Sequence, residues 1–292
     1  MRVAPHKTVL GILYAVSLAA IFLYLRDGWP YYSTPLIERP RHEDFWALKP
    51  GGTLGLTLGV IGSSLMVVML VYSVRKRARF LRNAGKLRTW LDFHIFCGVI
   101  GPLLVILHSS FKVQGLVALS FWSMIAVALS GVLGRYLYLQ IPRTRAGDEL
   151  TLAEVEEQRK ELARHLREDL QVPEEALREL DAIAQAGAAP KAPLLLLLLR
   201  LPGSSLALRW RLWVFRRKLR RDLRHAPRSL LREATRAARQ KAMLERRLVL
   251  WSRLQQLFHY WHVFHKPFAI VMYLFMIVHV AVALVTGYGW RS

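Results

Sequence analysis

The amino-acid sequence predicts an all-α membrane protein: a bundle of about five transmembrane helices with a helical, basic cytoplasmic insert before the last span. Three observations predict it. The 292 residues are 53% hydrophobic, with a mean hydropathy of +0.24, which is high for a soluble globular chain. Apolar runs near 8–25, 51–74, 91–111, 115–139 and 257–292 each match the roughly 20 helical residues needed to cross a hydrocarbon core about 30 Å thick. The net charge of +22 and isoelectric point near 10.9 come from arginine-rich segments between those runs, as expected of loops facing an anionic leaflet.

These observations divide the chain into residues 1–142, a four-helix transmembrane part; 143–256, a charged helical cytoplasmic insert; and 257–292, the last transmembrane helix. Residues 1–7 are short and basic (Arg2, Lys7). The run 8–25 sits where a signal peptide would, but Arg26-Asp27-Gly28-Trp29-Pro30 follows it instead of a small-residue cleavage site, so an uncleaved helix is expected. Residues 26–50 are rich in Pro, Tyr and Trp and suit an interfacial aromatic belt, with His42 exposed. After the run 51–74 come Arg75, Lys76, Arg77, Arg79, Arg82, Lys86 and Arg88, with no acid before Asp92. The positive-inside rule makes that loop cytoplasmic. The N-terminus is then cytoplasmic too, and the protein is expected in the inner membrane of a bacterial cell. The span 115–139 returns inward and ends at Pro142.

In the insert, Thr151-Leu152-Ala153-Glu154 reads as a capping box. A helix over 174–185 starts after Pro173, and 187–193 is a small-residue linker. The six leucines 194–199 are too few to span and are cut off by Arg200 and Pro202, so an interfacial segment is expected. Arg216, Arg217, Lys218, Arg220, Arg221 and Arg224 form a dense cluster interleaved with Trp210, Trp213 and Phe215. Such a pattern can bind nucleic acid. Tethered between membrane helices, it points to membrane lipids with anionic headgroups instead, and no nucleic acid is expected. A long basic helix from 228 leads into the last span.

The chemistry lies in a repeated ruler. His94 and His108 are fourteen positions apart in one apolar run, and His265 and His279 are fourteen apart in another. Fourteen steps of about 100° return to within about 40° of the start after a rise of roughly 21 Å. Each pair therefore lies on one helix face, one histidine near each edge of the hydrocarbon core. Two such helices side by side set imidazoles opposite each other at two depths, the geometry that ligates two stacked haems b through both axial positions. The same faces carry Gly98, Gly101 and Val105 on one helix, and Ala269, Met272 and Met276 on the other. Parallel helices pair His94 with His265 and His108 with His279. The iron ligands expected are these four histidines. Arg88, Arg135 and Lys266 are candidate cations for the propionates, or plain positive-inside anchors. His262 competes with His265 as a ligand, but its spacing to His279 is seventeen. His259, His262 and Asp92 could instead line a proton-handling quinone pocket. A single cysteine, Cys97, excludes an internal disulfide and Cys-rich metal sites. Covalent c-type haem, dinucleotide and P-loop motifs are also absent from the sequence. No residue is assigned a catalytic role.

The paired H-x13-H helices resemble the haem-binding core of the ferric reductase and NADPH oxidase transmembrane superfamily, and more broadly di-haem membrane cytochromes b. Gly134-Arg135-Tyr136-Leu137-Tyr138 with Gln140-Ile141-Pro142-Arg143 resembles bacterial cytochrome-b-like membrane proteins. The likeness covers mainly the spans. It implies four axial histidines, matching His94, His108, His265 and His279, and transmembrane electron transfer. The chain departs from the reductases in lacking C-terminal flavin and nicotinamide domains and in its insert of about 120 residues. The resemblance thus implies separate redox subunits: a flavoprotein, an iron-sulfur protein or a c-type cytochrome. The expected function is a di-haem b-type cytochrome, an electron-transfer subunit of an oxidoreductase complex. Its competitors are a quinone/quinol oxidoreductase subunit and a non-redox membrane scaffold binding anionic lipid and partner proteins.

Overall fold

A computed structural model describes residues 5–81, 84–141, 151–186, 192–222 and 227–287. The expectations placed on Arg2, Arg82, Pro142, Arg143, Arg224 and 187–191 lie outside those residues. Every regular element among the described residues is helical: α1 Pro5–Asp27, α2 Trp29–Ser33, α3 Phe45–Leu48, α4 Thr53–Val68, α5 Leu70–Arg77, α6 Leu87–His108, α7 Leu116–Gln140, α8 Leu152–Arg164, α9 Glu174–Gln185, α10 Leu194–Asp222 and α11 Arg228–Val285. Five helical stretches are long and apolar enough to cross a membrane: His6–Asp27, Phe45–Arg77, Leu87–His108, Val117–Gln140 and a window within Ser229–Val285. The protein is an all-α, multi-pass membrane protein.

Two boundaries differ from the sequence expectation. The second span is interrupted at Met69, between α4 and α5. The last span is the end of one 58-residue helix that begins in the insert. The chain forms two compact units, Met1–Leu133 with His262–Ser292, and Gly134–Trp261. Their borders fall inside the continuous helices α7 and α11.

In the first unit, α4 packs closely on α6 through a glycine face. Gly55, Gly59 and Gly62 are buried at helical spacing, which lets two backbones approach. A Cβ on Gly62 would lie 3.0 Å from the Gly101 carbonyl oxygen, and one on Gly101 would lie 3.2 Å from that of Gly62. Gly101 therefore serves this helix crossing. A Cβ on Gly98 would lie 3.8 Å from the Met69 sulfur. Phe96, Cys97, Ile100 and Leu104 of α6 form a core with Met69, Tyr14 and Tyr273. Met272 is buried with Met66 and Met124, filling an irregular apolar gap as methionine does.

Three hydrogen bonds set the register of α11 against α4 and α7. The Tyr273 hydroxyl donates to the Met66 carbonyl (2.5 Å), the Ser120 hydroxyl donates to the Met272 carbonyl (3.1 Å), and Ser130 bonds the His265 ring (2.7 Å). Hydrocarbon offers polar groups no water, so such partners are specific.

The segment between α1 and α4 is a packed clasp from which Trp29 and Trp46 remain exposed. Tyr31, Tyr32 and Leu48 are buried with Leu107 of α6. Arg39, 7% exposed, donates to the carbonyls of Thr34 (2.9 Å), Tyr32 (2.8 Å) and Ser110 (2.5 Å). The Ser110 hydroxyl donates to the Leu48 carbonyl. His42, expected to be exposed, is half-buried with its ring 5.6 Å from Tyr31. The cause is the end of α6: its last carbonyls have no helical partner, and a buried guanidinium requires several acceptors.

In the second unit, the Thr151/Glu154 capping box starts α8. Leu166, Leu170, Leu177, Leu180, Leu212, Phe215, Leu219 and alanines 234, 237, 238 and 242 form its core. The leucines 194–199, expected as a separate short segment, are the first turns of the 29-residue α10, which runs on through Pro202. Leu201 before that proline and Leu208 after it are buried, and this packing offsets the helical bond the ring removes.

Candidate functional site: two histidine pairs

The structure brings together the four histidines of the ruler as two pairs within the first unit. The rings of His108 and His279 have centroids 6.4 Å apart. His94 and His265 are near enough to interact electrostatically. Helices α6 and the end of α11 therefore run parallel, and all four rings are half-buried.

What the histidines hold on their other side decides their chemistry. His108 Nδ1 lies 2.8 Å from the Gly55 carbonyl oxygen, and His94 Nδ1 lies 2.9 Å from that of Met69. A carbonyl only accepts, so Nδ1 carries the proton and the lone pair sits on Nε2. His265 reaches the same tautomer through a hydroxyl. Ser130 Oγ donates to the Val127 carbonyl at 2.9 Å and accepts from His265 Nδ1 at 2.7 Å. Three of the four imidazoles thus have Nδ1 engaged and the lone pair on Nε2, the arrangement found in metal-binding histidines.

The local backbone explains these partners. The Met69 carbonyl sits where α4 gives way to α5, so an interruption of the span presents an acceptor to His94. Gly59 gives the His108 ring its place, since a Cβ there would lie 2.6 Å from Nδ1. Tyr72 packs against the His94 ring at 5.2 Å.

Comparison with models of protein families, with curated proteins and with solved structures finds no match. The chemistry therefore rests on these side chains. Among the described residues no three His, Cys, Asp or Glu side chains gather as a metal-binding group. A haem needs fewer protein ligands, because its macrocycle supplies the in-plane nitrogens and the protein only the axial ones. The His108 and His279 rings, with centroids 6.4 Å apart, leave room for one metal ion between them, given metal–imidazole bonds of about 2.0–2.1 Å. The His108–His279 pair fits the group.

The remaining sequence candidates are scattered. Arg88 is exposed in the first turn of α6, and Lys266 is exposed beside His265. Arg135 belongs to the second unit, with its guanidinium 5.6 Å from the Tyr138 ring centroid. His259 is exposed in the second unit against Tyr260. His262 is half-buried in the first and interacts electrostatically with His265. Asp92 is 9% exposed, and its carboxylate lies 3.9 Å from His6 Nε2.

Sequence reasoning missed Gly55, Gly59, Met69, Ser130, Arg39 and His6. The glycines were detectable as a stripe at 55, 59 and 62 on one helix face. The Met69 carbonyl and the Ser130 hydroxyl leave no signal in sequence, because which neighbour a membrane histidine meets is a tertiary fact.

Proposed function

We propose that this chain is a di-haem b-type cytochrome that carries electrons across the membrane as a subunit of a redox complex. One observation carries the proposal: two histidine pairs on parallel helices, with Nδ1 of His94, His108 and His265 held by hydrogen bonds so that Nε2 is the ligating nitrogen. His94 with His265, and His108 with His279, would hold the two groups. Bound haem would supply a one-electron iron centre suited to electron transfer. The protein's part is to orient three of the four imidazoles, those of His108, His94 and His265, through Gly55, Met69 and Ser130. It also keeps water from the interval between the two levels with the apolar side chains of Met66, Met124 and Met272.

The electrons pass between a cytoplasmic or quinone donor and an acceptor on the outer side. Separate redox subunits of flavoprotein, iron-sulfur or c-type cytochrome character complete the route. The setting is a bacterial inner membrane with the N-terminus cytoplasmic, supported by the basic loop before α6. The reading keeps the likeness of the H-x13-H helices to the ferric reductase and NADPH oxidase haem-binding core.

A reduced-minus-oxidised absorption spectrum with a pyridine haemochrome count tests the proposal. Two low-spin b-type haems per chain are expected. None, in protein made with ample haem, overturns it.

A second reading, a quinone/quinol oxidoreductase subunit, draws on the ionisable pair His6–Asp92, two residues before His94. Buried ionisable groups at a membrane edge commonly handle protons. Haem reduction by a quinol analogue that is lost in Asp92→Asn favours it. Reduction unaffected by that change removes it.

A further inference from the structure

The helix α10 has two apolar faces where a surface helix has one. Its buried face is Leu197, Leu201, Leu208, Leu212, Phe215 and Leu219. These recur at helical spacing and seat the helix in the second unit. About 180° around the axis, by the 100° step, lies a ridge of Leu195, Leu199, Leu206, Trp210 and Trp213. They are 70%, 70%, 64%, 65% and 40% exposed. A polar face is the ordinary expectation there.

The ridge passes into arginine along the same face. Arg217 stacks 3.6 Å over the Trp213 ring centroid, and Trp213 stacks on Trp210 at 5.0 Å. Arg216, Arg220 and Arg221 are exposed beside it.

Leucines, stacked tryptophans and guanidinium groups on one line match an anionic bilayer surface. Leucine enters the acyl boundary, tryptophan sits at headgroup depth, and arginine meets the phosphates. Other occupants fit less well. A second copy would bring its own arginines against these. Nucleic acid gains stacking from tryptophan but nothing from three exposed leucines. We infer that the outward face of α10, from Leu195 to Arg221, is a docking surface for anionic lipid, lying in the plane of a membrane interface. This inference is independent of haem binding.

The test uses the full chain in nanodiscs, with a nitroxide on Leu206→Cys. Leu206 is exposed, and the native Cys97 is fully buried. Collision rates with oxygen and with a water-soluble nickel complex are compared in phosphatidylcholine and in phosphatidylcholine with phosphatidylglycerol. The expected result is a several-fold rise in the oxygen-to-nickel ratio with the anionic lipid. The rise should be lost in a protein also carrying Arg216→Gln, Arg217→Gln, Arg220→Gln and Arg221→Gln. Hydrogen exchange over 174–185, on the neighbouring helix α9, shows whether each variant keeps the unit folded. A label that stays in water in both compositions, or is equally lipid-immersed in both, overturns the inference. So does protection that appears only on adding RNA or on raising protein concentration.

Discussion

His108 and His165 show how differently the two units hold the same side chain. In the first unit, the His108 ring donates to the Gly55 backbone carbonyl at 2.8 Å. In the second, His165 meets carboxylates: Asp169 at 2.6 Å from Nδ1 and Glu233 at 3.5 Å from Nε2. The contrast extends to other polar groups. Arg39 in the first unit ends on three carbonyls. In the second, Lys218 pairs with Glu179 at 2.5 Å, and Arg167 with Glu174 at 2.9 Å, all four side chains in reach of solvent. Where no water competes, neutral backbone acceptors satisfy a donor without burying a second charge. Where water is near, ion pairs form easily and contribute little each. A histidine held by a carbonyl has its Nδ1 fixed as a donor. A histidine between two carboxylates is a proton holder.

On the proposed di-haem reading, the largest expected effect comes from removing one of the four imidazoles outright. His108→Ala should halve the haem count and leave the His94–His265 site, and His94→Ala should do the converse. Pyridine haemochrome counts and the α-band of each variant report it. Partial loss of both haems from either single variant would break the parallel pairing.

Ser130→Ala leaves His265 without the acceptor for its Nδ1 proton. Loss of such a supporting partner typically weakens metal affinity about 10–100-fold. Haem retention during extraction by a haem scavenger should drop at the His94–His265 site, and Ser130→Thr, which keeps the hydroxyl, should restore it.

Gly59→Ala puts a methyl group 2.6 Å from His108 Nδ1. Overpacking of this kind costs about 1–3 kcal/mol. The ring cannot yield without losing its bond to Gly55. Thermal unfolding should register the cost, and low-spin spectral changes should be confined to the His108–His279 site. Equal disturbance of both sites would show that the two levels are not separately built.

The smallest effect lies in the second unit and depends on pH. The hydrogen bond to Asp169, with the charges of Asp169 and Glu233, raises the pKa of His165 above its ordinary 6.5. A raised folded value means the contribution is complete below about 6.5 and fades as pH rises through the raised pKa. Hydrogen exchange over 165–172 should therefore quicken from pH 6 to pH 8 by more than the intrinsic rate. The excess should vanish in His165→Ala and shrink at high salt. Segments around His94 and His108 should show no such salt dependence.

Much of this protein was written in the sequence. Apolar length determined the spans, because a hydrocarbon core admits only a narrow range of helix lengths. The H-x13-H spacing determined that His94 with His108, and His265 with His279, share helix faces, because the helical repeat is fixed by backbone geometry. The capping box at Thr151 and the helix after Pro173 were equally local. Tertiary structure decided the rest. The approach of α4 turned Gly101 into a helix-crossing residue and set Gly59 under His108. The interruption at Met69 supplied a carbonyl to His94. The docking of 28–52 buried Arg39 and half-buried His42. Composition could not distinguish the two faces of α10, since burial of one leucine row and exposure of the other depend on which helices stand beside it. Spacing along one helix is local, whereas the acceptor each imidazole finds lies on another helix, set by packing over long chain separations.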